Sequence, residues 1–317
     1  MVSARDSSQG STLLHGIGFA LVAYGAFSTA DAIIKLSSSR FSVAQVALLM
    51  AAFALPPVLA LTRGQGGLRA LLPVHVRLVA ARGVLTAIGC HLAWNAFSIM
   101  PMTQAYAILF ASPMIITACS ALLLGEDVGW RRWSATIAGF VGVIIMLDPS
   151  FSSLGKGHLL AALAAFCGSA SFLILRKLGG REKSASILAS LLLAVGLSSA
   201  PIAISDWVVP TWGELSMIAL AGLLFGSGQA GLVFATRETP AALIAPFQYT
   251  QMIWAMVFGI MIFGNMPTTN LFIGLAIVVA SGLFIVWRET VRARPITIAG
   301  GRGEVTARAA RISEAEG

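Results

Sequence analysis

Hydrophobic residues form long runs along the chain, and the charged residues lie in short clusters between them. Two of the charge-free runs, at residues 83–125 and 239–287, are long enough for two membrane-spanning helices each, since one helix needs about 20 apolar residues. Met100-Pro101 and Asn265-Met266-Pro267 supply a turn inside each run, because proline lacks an N–H and restricts the residue before it. The pattern therefore predicts ten spans, at residues 13–35, 42–62, 78–98, 103–124, 131–147, 157–176, 184–204, 214–235, 241–263 and 268–287.

Composition supports an integral membrane protein of the all-α class. Apolar residues make up 57% of the 317 residues, charged residues only 11%, and the mean hydropathy is +0.86. A soluble domain carries about 25% charged residues, so the composition argues against an ordinary cytosolic enzyme. Helices are favoured over a β-barrel, because barrel strands are about 10 residues long and alternate in polarity.

The Lys and Arg residues predict the orientation. If the N-terminus lies inside, 18 of these 21 residues fall in inside segments, and only Lys35, Arg40 and Lys156 fall outside. This bias follows the positive-inside rule, so we expect a multi-pass membrane protein with both termini cytoplasmic. Arg82, at the inner start of the third span, could attract an anion, although its role in topology already explains it.

The chain also repeats itself. A shift of 139 residues places Gly16 on Gly155, Gly83 on Gly222, Gly89 on Gly228 and Pro101 on Pro240, among other matches. Because the repeated unit has five spans, an odd number, the second copy enters the membrane from the opposite side. The sequence thus predicts two inverted five-helix repeats, an arrangement common in secondary transporters. The predicted units are residues 1–12 (cytoplasmic segment), 13–148 and 155–288 (the repeats) and 289–317 (a basic, disordered tail).

Several short motifs resemble the drug/metabolite transporter superfamily in its ten-span EamA-like branch. They are Met100 to Ala105, Leu124-Gly125-Glu126 and Gly139 to Leu147 in the first half, and Thr239 to Ala242, Phe263-Gly264-Asn265 and Gly274 to Trp287 in the second. Asn265 departs from the family's Gly-Glu pattern, which argues against a carboxylate role there. The resemblance implies transport of a small metabolite across the bacterial inner membrane, by uptake or export, through a central cavity between the repeats.

Polar side chains inside spans are costly, so they are candidates for the substrate site. Asp31 is the one carboxylate clearly within a predicted span, and it could bind a cation or carry a proton. The alternative is an ion pair with Lys35, one helical turn away. The other candidates are His91, Trp94, Asn95, Tyr106, Gln229, Gln248, Tyr249, Gln251 and Trp254. For His91 and the glutamines, the alternative is hydrogen bonding between helices.

The sequence carries no motif that predicts an enzyme. It contains no HExxH, no Cys–His cluster and no GxxxxGK[ST] loop, so we expect no catalytic residues, no cofactor, no metal and no ATP-driven transport. The family resemblance implies a secondary transporter of a small polar metabolite. The Trp, Tyr and Gln side chains within the spans favour a planar cofactor or vitamin, for example riboflavin or S-adenosylmethionine. The alternatives are an exporter of amino acids or other metabolites in the same family, and a non-transporting membrane receptor or assembly protein. Expected partners are the metabolite and membrane lipids but no nucleic acid, with a homodimer left open.

Overall fold

The chain folds into a bundle of helices. A computed structural model describes residues 3–112, 114–116, 118–119, 130–146, 155–178, 181–238 and 245–292. All regular secondary structure within these ranges is helical. The helices are α1 (Ser3–Ser37), α2 (Val43–Phe53), α3 (Leu55–Thr62), α4 (Val76–Ile99), α5 (Met102–Leu109), α6 (Trp130–Met146), α7 (Lys156–Leu178), α8 (Ser184–Ser205), α9 (Trp212–Glu238), α10 (Thr250–Met261) and α11 (Thr269–Arg292).

Some helix boundaries differ from the sequence-based limits. The predicted span 42–62 is divided into α2 and α3, because Pro56 and Pro57 at the start of α3 cannot donate hydrogen bonds to the preceding turn. Helix α1 begins at Ser3, so most of the predicted cytoplasmic segment 1–12 is helical. The predicted span 241–263 starts within the described residues as a 3₁₀ helix, Ala245–Tyr249, and continues as α10. The predicted tail is helical up to Arg292, and its remainder lies outside the described residues.

Six helical segments are long and apolar enough to cross a membrane, with mean hydropathy from 1.4 to 2.2. They are His15–Ser37, Val43–Thr62, Val76–Ile99, Lys156–Leu175, Ser184–Ser205 and Trp212–Ala235. Apolar parts of α6 and α11 are shorter. The protein is therefore a multi-pass membrane protein by the length and composition of its helices.

The helices pack in pairs through small residues. Helix α1 packs on α9, α4 on α7, α2 on α8, α5 on α10 and α6 on α11. A Cβ atom at Gly83 would lie 2.9 Å from the Ser190 carbonyl oxygen, and one at Gly222 would lie 2.7 Å from that of Met50. Such contacts leave no room for a side chain, so glycine permits these close crossings.

An amide ties one end of the bundle. The Gln45 side chain, fully buried in the first turn of α2, donates to the Val208 carbonyl oxygen (2.6 Å) and accepts from the Val208 N–H (3.1 Å). We call Gln45 and Val208 the Gln45 corner. It fixes the start of α2 to the segment that precedes α9.

A carboxylate ties the opposite end, where α4 begins. Glu182 accepts hydrogen bonds from the backbone N–H groups of Val74 (3.2 Å) and His75, from the His75 ring (3.0 Å) and from the Ser186 hydroxyl (3.2 Å). We call these four residues the Glu182 corner. Burial alone would raise the pKa of Glu182, but its hydrogen bonds outweigh burial and hold that pKa below the ordinary value.

Candidate functional site

Asp31 is buried within α1, and its carboxylate is held by two donors from other helices. The Trp94 indole nitrogen in α4 donates to Oδ1 at 3.2 Å, and the Tyr106 hydroxyl in α5 donates to Oδ2 at 2.5 Å. Asp31 is 9% exposed, Trp94 4% and Tyr106 3%. The structure thus brings three of the sequence-predicted site residues into direct contact, in the interior where α1, α4 and α5 meet.

Aromatic rings surround this carboxylate in two connected series. In one series, Phe225 of α9 lies 5.9 Å from both Phe27 and Trp94, measured between ring centroids. In the other, neighbouring centroids from Phe97 through Tyr106 and Phe110 to Tyr249 are 5.1 to 6.0 Å apart. The two series meet at Asp31, through Trp94 and Tyr106. We call the seven rings the aromatic cluster: Phe27, Trp94, Phe97, Tyr106, Phe110, Phe225 and Tyr249.

Two more polar side chains lie beside the Tyr106 hydroxyl. Ser28 and Gln251 both interact electrostatically with it. Ser28 is completely buried, and its oxygen has no hydrogen-bond partner of good geometry among the described residues. Sequence reasoning missed Ser28, although its position three residues before Asp31 places it on the same helix face.

Lys35 is not the partner of Asp31, which corrects the ion-pair alternative. Its ammonium donates to the backbone oxygens of Phe97 (2.6 Å) and Met100 (2.9 Å) at the end of α4, and lies 5.2 Å from the centre of the Phe263 ring. The last carbonyls of a helix lack partners within the helix and carry partial negative charge, so a lysine is well suited to this position. Asp31 therefore has its charge balanced by hydrogen-bond donors and not by a neighbouring cation in the described residues.

His91 and Asn95 are directed away from the carboxylate. The His91 Nε2 atom lies 2.9 Å from the Ser198 hydroxyl and 3.2 Å from that of Ser199, both in α8. The Asn95 amide donates to the His91 carbonyl oxygen at 2.7 Å. His91 still contacts the aromatic cluster, because its ring meets Trp94 edge-on at 6.0 Å.

The second-half candidates divide between the cluster and its margin. Tyr249 is buried and meets Phe110 edge-on, whereas Gln229 and Gln248 are half-buried. Trp254 is 39% exposed, stacks on Phe258 at 5.7 Å, and lies against α1 at Gly25. Trp254 is therefore in contact with the helix that carries Asp31 but outside the aromatic cluster.

The arrangement is suited to bind an organic cation or an aromatic solute. A desolvated carboxylate attracts a cation or an N–H donor strongly, and the faces of aromatic rings attract cations and stack on planar rings. No group of three or more His, Cys, Asp or Glu side chains that could hold a metal ion occurs among the described residues. A separate apolar groove of about 900 Å³ between α2, α4 and α8 contains none of the predicted site residues.

Comparison with known proteins identifies transporters as relatives. The profile of the EamA-like transporter family matches residues 14–148 and again 155–287. The riboflavin transporter of Rhizobium johnstonii is 36% identical over 67% of this chain and 71% of its own length, and that of Vibrio cholerae is 29% identical over 89% and 96%. The S-adenosylmethionine uptake transporter of Rickettsia prowazekii is 27% identical over 88% and 94%. One solved crystal structure, 18% identical, shares the fold with a TM-score of 0.63 over 88% of this chain and 99% of its own.

Proposed function

Because the chain belongs to the EamA-like transporter family, we propose that it is a secondary carrier of the bacterial inner membrane that moves a small planar polar metabolite past Asp31. The resemblance to the drug/metabolite transporter superfamily that the sequence motifs indicated is confirmed. The observation that carries the proposal is the buried Asp31 carboxylate, held by Trp94 and Tyr106 within the aromatic cluster.

Ten spans in two inverted repeats form the proposed architecture. The double match of the family profile supports two copies of one unit. Helix pairing supports it as well: a 139-residue shift exchanges the α1–α9 and α4–α7 contacts and preserves the α2–α8 contact. Gly83 and Gly222, which the shift superimposes, both make close helix crossings. The excess of Lys and Arg in predicted inside segments supports cytoplasmic termini.

The proposed site lies where the two halves meet. Asp31, Trp94 and Tyr106 come from the first half, and Gln251, Tyr249 and the ring of Phe225 come from the second. Movement of one half against the other would alter this site from both sides, as alternating access requires. His91, Asn95, Gln229, Gln248 and Trp254 are proposed as further lining residues that a solute meets when the halves separate.

The names of the related transporters indicate the class of solute. Riboflavin and S-adenosylmethionine both contain a planar heteroaromatic ring with polar substituents, and the second also carries cationic groups. Such a ring can stack within the aromatic cluster, and its N–H groups or positive charge can reach Asp31. A solute without a planar ring, such as an aliphatic amino acid, would have no group to stack on the seven rings.

Flux measurements in proteoliposomes test this function. Uptake of labelled riboflavin and S-adenosylmethionine is compared between the wild type and the variants Asp31→Asn, Tyr106→Phe and Trp94→Phe. We expect Asp31→Asn to reduce flux at least about tenfold, because a buried charged hydrogen-bonding group contributes roughly 1.5–3 kcal/mol. Glu214→Gln, an acidic residue at the start of α9, is the matched control and should keep wild-type flux.

Two results would contradict the proposal. No gradient-dependent flux of any solute in a broad metabolite panel would exclude a carrier. Unchanged flux in all three site variants would remove Asp31 from the transport path and leave the family assignment intact. A pH dependence of flux that persists in Asp31→Asn would show that Asp31 does not carry a coupled proton.

A further inference from the structure

Arg82 carries a positive charge that nothing in the described part of the chain balances. It lies near the start of α4, and its Nε and Nη1 atoms are buried without an acceptor among the described residues. Arginine retains its charge in proteins, so it cannot relieve burial by losing a proton. A buried cation normally has an acceptor or a counter-charge.

Neighbouring basic residues show that burial is not required for topology. Arg63, Arg69 and Arg77 belong to the same predicted inside segment, and all three are exposed. A positive-inside signal is therefore satisfied by side chains in water, and it does not explain why the Nε and Nη1 atoms of the half-buried Arg82 are withdrawn from water.

The acidic group at this end of the bundle is already occupied. Glu182 accepts its hydrogen bonds from Val74, His75 and Ser186, and the two ion pairs among the described residues are Arg40–Glu214 and His75–Glu182. Neither of these two carboxylates is therefore paired with Arg82.

Arg82 is also linked to the proposed transport path. Cys90 follows Arg82 by two turns on α4, and Trp94, whose indole donates to Asp31, follows one turn later. One turn beyond Arg82, the Thr86 hydroxyl is 2.5 Å from that of Ser171 in α7. Polar groups thus follow α4 from Arg82 toward the carboxylate.

We propose that Arg82 binds an anionic oxygen group, a carboxylate or a phosphate, at the start of α4. The inference rests on the proposed carrier function for its place on the path, and its ligand is either an acidic group of the solute or the headgroup of an anionic phospholipid. Arg82 and Asp31 then provide charges of opposite sign along one helix. Guanidinium is the side chain best matched to such oxygens, because several N–H donors can engage them at once.

Thermal unfolding of the full-length protein in nanodiscs provides the test. Wild type, Arg82→Gln and the control Arg77→Gln are measured in neutral phosphatidylcholine with and without inorganic phosphate, at ionic strength matched with chloride. A second series replaces part of the phosphatidylcholine with phosphatidylglycerol. Without an anion, Arg82→Gln should melt about 2 °C or more above the wild type, because it removes an unbalanced buried charge.

Addition of the anion should reverse that order. Phosphate or phosphatidylglycerol should raise the melting temperature of the wild type and Arg77→Gln, with little effect on Arg82→Gln, because only a ligand of the folded state stabilises it. A response to phosphate in neutral lipid identifies the soluble anion, and a response to phosphatidylglycerol alone identifies the lipid headgroup.

An equal response of all three proteins to both anions would overturn the proposal, as would a lower melting temperature of Arg82→Gln without anion. These readouts do not depend on flux. If flux is absent but the Arg82-dependent response is present, the carrier function is rejected and the anion site is kept. If flux is normal but the response is absent, the anion site is rejected and the carrier function is kept.

Discussion

At each end of the bundle a side chain forms hydrogen bonds to the backbone of another segment. The side chain is an amide at the Gln45 corner and a carboxylate at the Glu182 corner. At the first, the backbone presents both the N–H and the carbonyl of Val208, so the partner must donate and accept. At the second, it presents only the N–H groups of Val74 and His75, at the positive end of α4. The chemistry of each tie therefore follows from which backbone groups the opposite segment exposes.

Removal of the carboxylate should have the largest effect. Glu182→Ala leaves the donors of Val74, His75 and Ser186 without their acceptor, and we expect a loss of about 3 kcal/mol in unfolding free energy. Thermal unfolding in detergent measures it. Ser186→Ala, which removes a single donor, is the control and should cost much less; an equal cost would show that the carboxylate is not the centre of the corner.

Removal of the amide should have a smaller effect. Gln45→Ala leaves one N–H and one carbonyl of Val208 unpaired, and we expect a loss of about 2 kcal/mol. The same unfolding measurement applies, with Gln104→Ala as a half-buried amide that makes neither contact. An equal loss of unfolding free energy in Gln45→Ala and Gln104→Ala would contradict this prediction, because it would mean that water replaces the Gln45 hydrogen bonds without cost.

Acid should distinguish the two corners. The pKa of Glu182 is lower in the folded protein than its ordinary value of 4.5, so the unfolded chain takes up the proton first as pH falls. The stabilisation is therefore fully present above pH 4.5 and is lost as pH falls through the lowered pKa. Glu182→Gln should cost roughly 1 kcal/mol near neutral pH. It should also flatten the decline of melting temperature below about pH 4.5 relative to the wild type.

The control for that prediction is Gln45→Ala, which removes no titrating group and should keep the wild-type slope. An unchanged slope in Glu182→Gln would mean that other carboxylates dominate the acid response.

A surface ion pair near the Gln45 corner should have the smallest effect. Arg40 and Glu214 are 2.6 Å apart, but the Arg40 side chain is 51% exposed. Exposed pairs contribute little and are screened by salt. Arg40→Gln should leave the melting temperature unchanged at physiological salt, and a clear decrease there would show that the pair helps to hold the corner.

The sequence predicts the helices of this fold much better than the contacts between them. Every predicted span contains helix, because apolar runs and prolines are local signals, and Pro56-Pro57 even marks the division between α2 and α3. Neither corner was predicted. Gln45 and Val208 are 163 residues apart, and a backbone N–H or carbonyl has no residue type that could reveal it.

The candidate site shows the same contrast: its carboxylate is visible in the sequence, but the contacts of that carboxylate are not. Asp31 stands out in the sequence because a carboxylate within a span is costly. Its contacts with Trp94 and Tyr106, 63 and 75 residues away, depend on helix packing. Local spacing makes an ion pair with Lys35 the alternative role for Asp31, whereas the structure places the Lys35 ammonium on carbonyls at the end of α4.

That position makes Lys35 a natural reporter of conformation. An ammonium engaged by two carbonyls reacts slowly with amine-directed reagents, and any separation of α1 from the end of α4 would release it. The labelling rate of one lysine, followed by mass spectrometry on the unmodified protein, would then report how often this end of the bundle opens, without any probe having to be introduced.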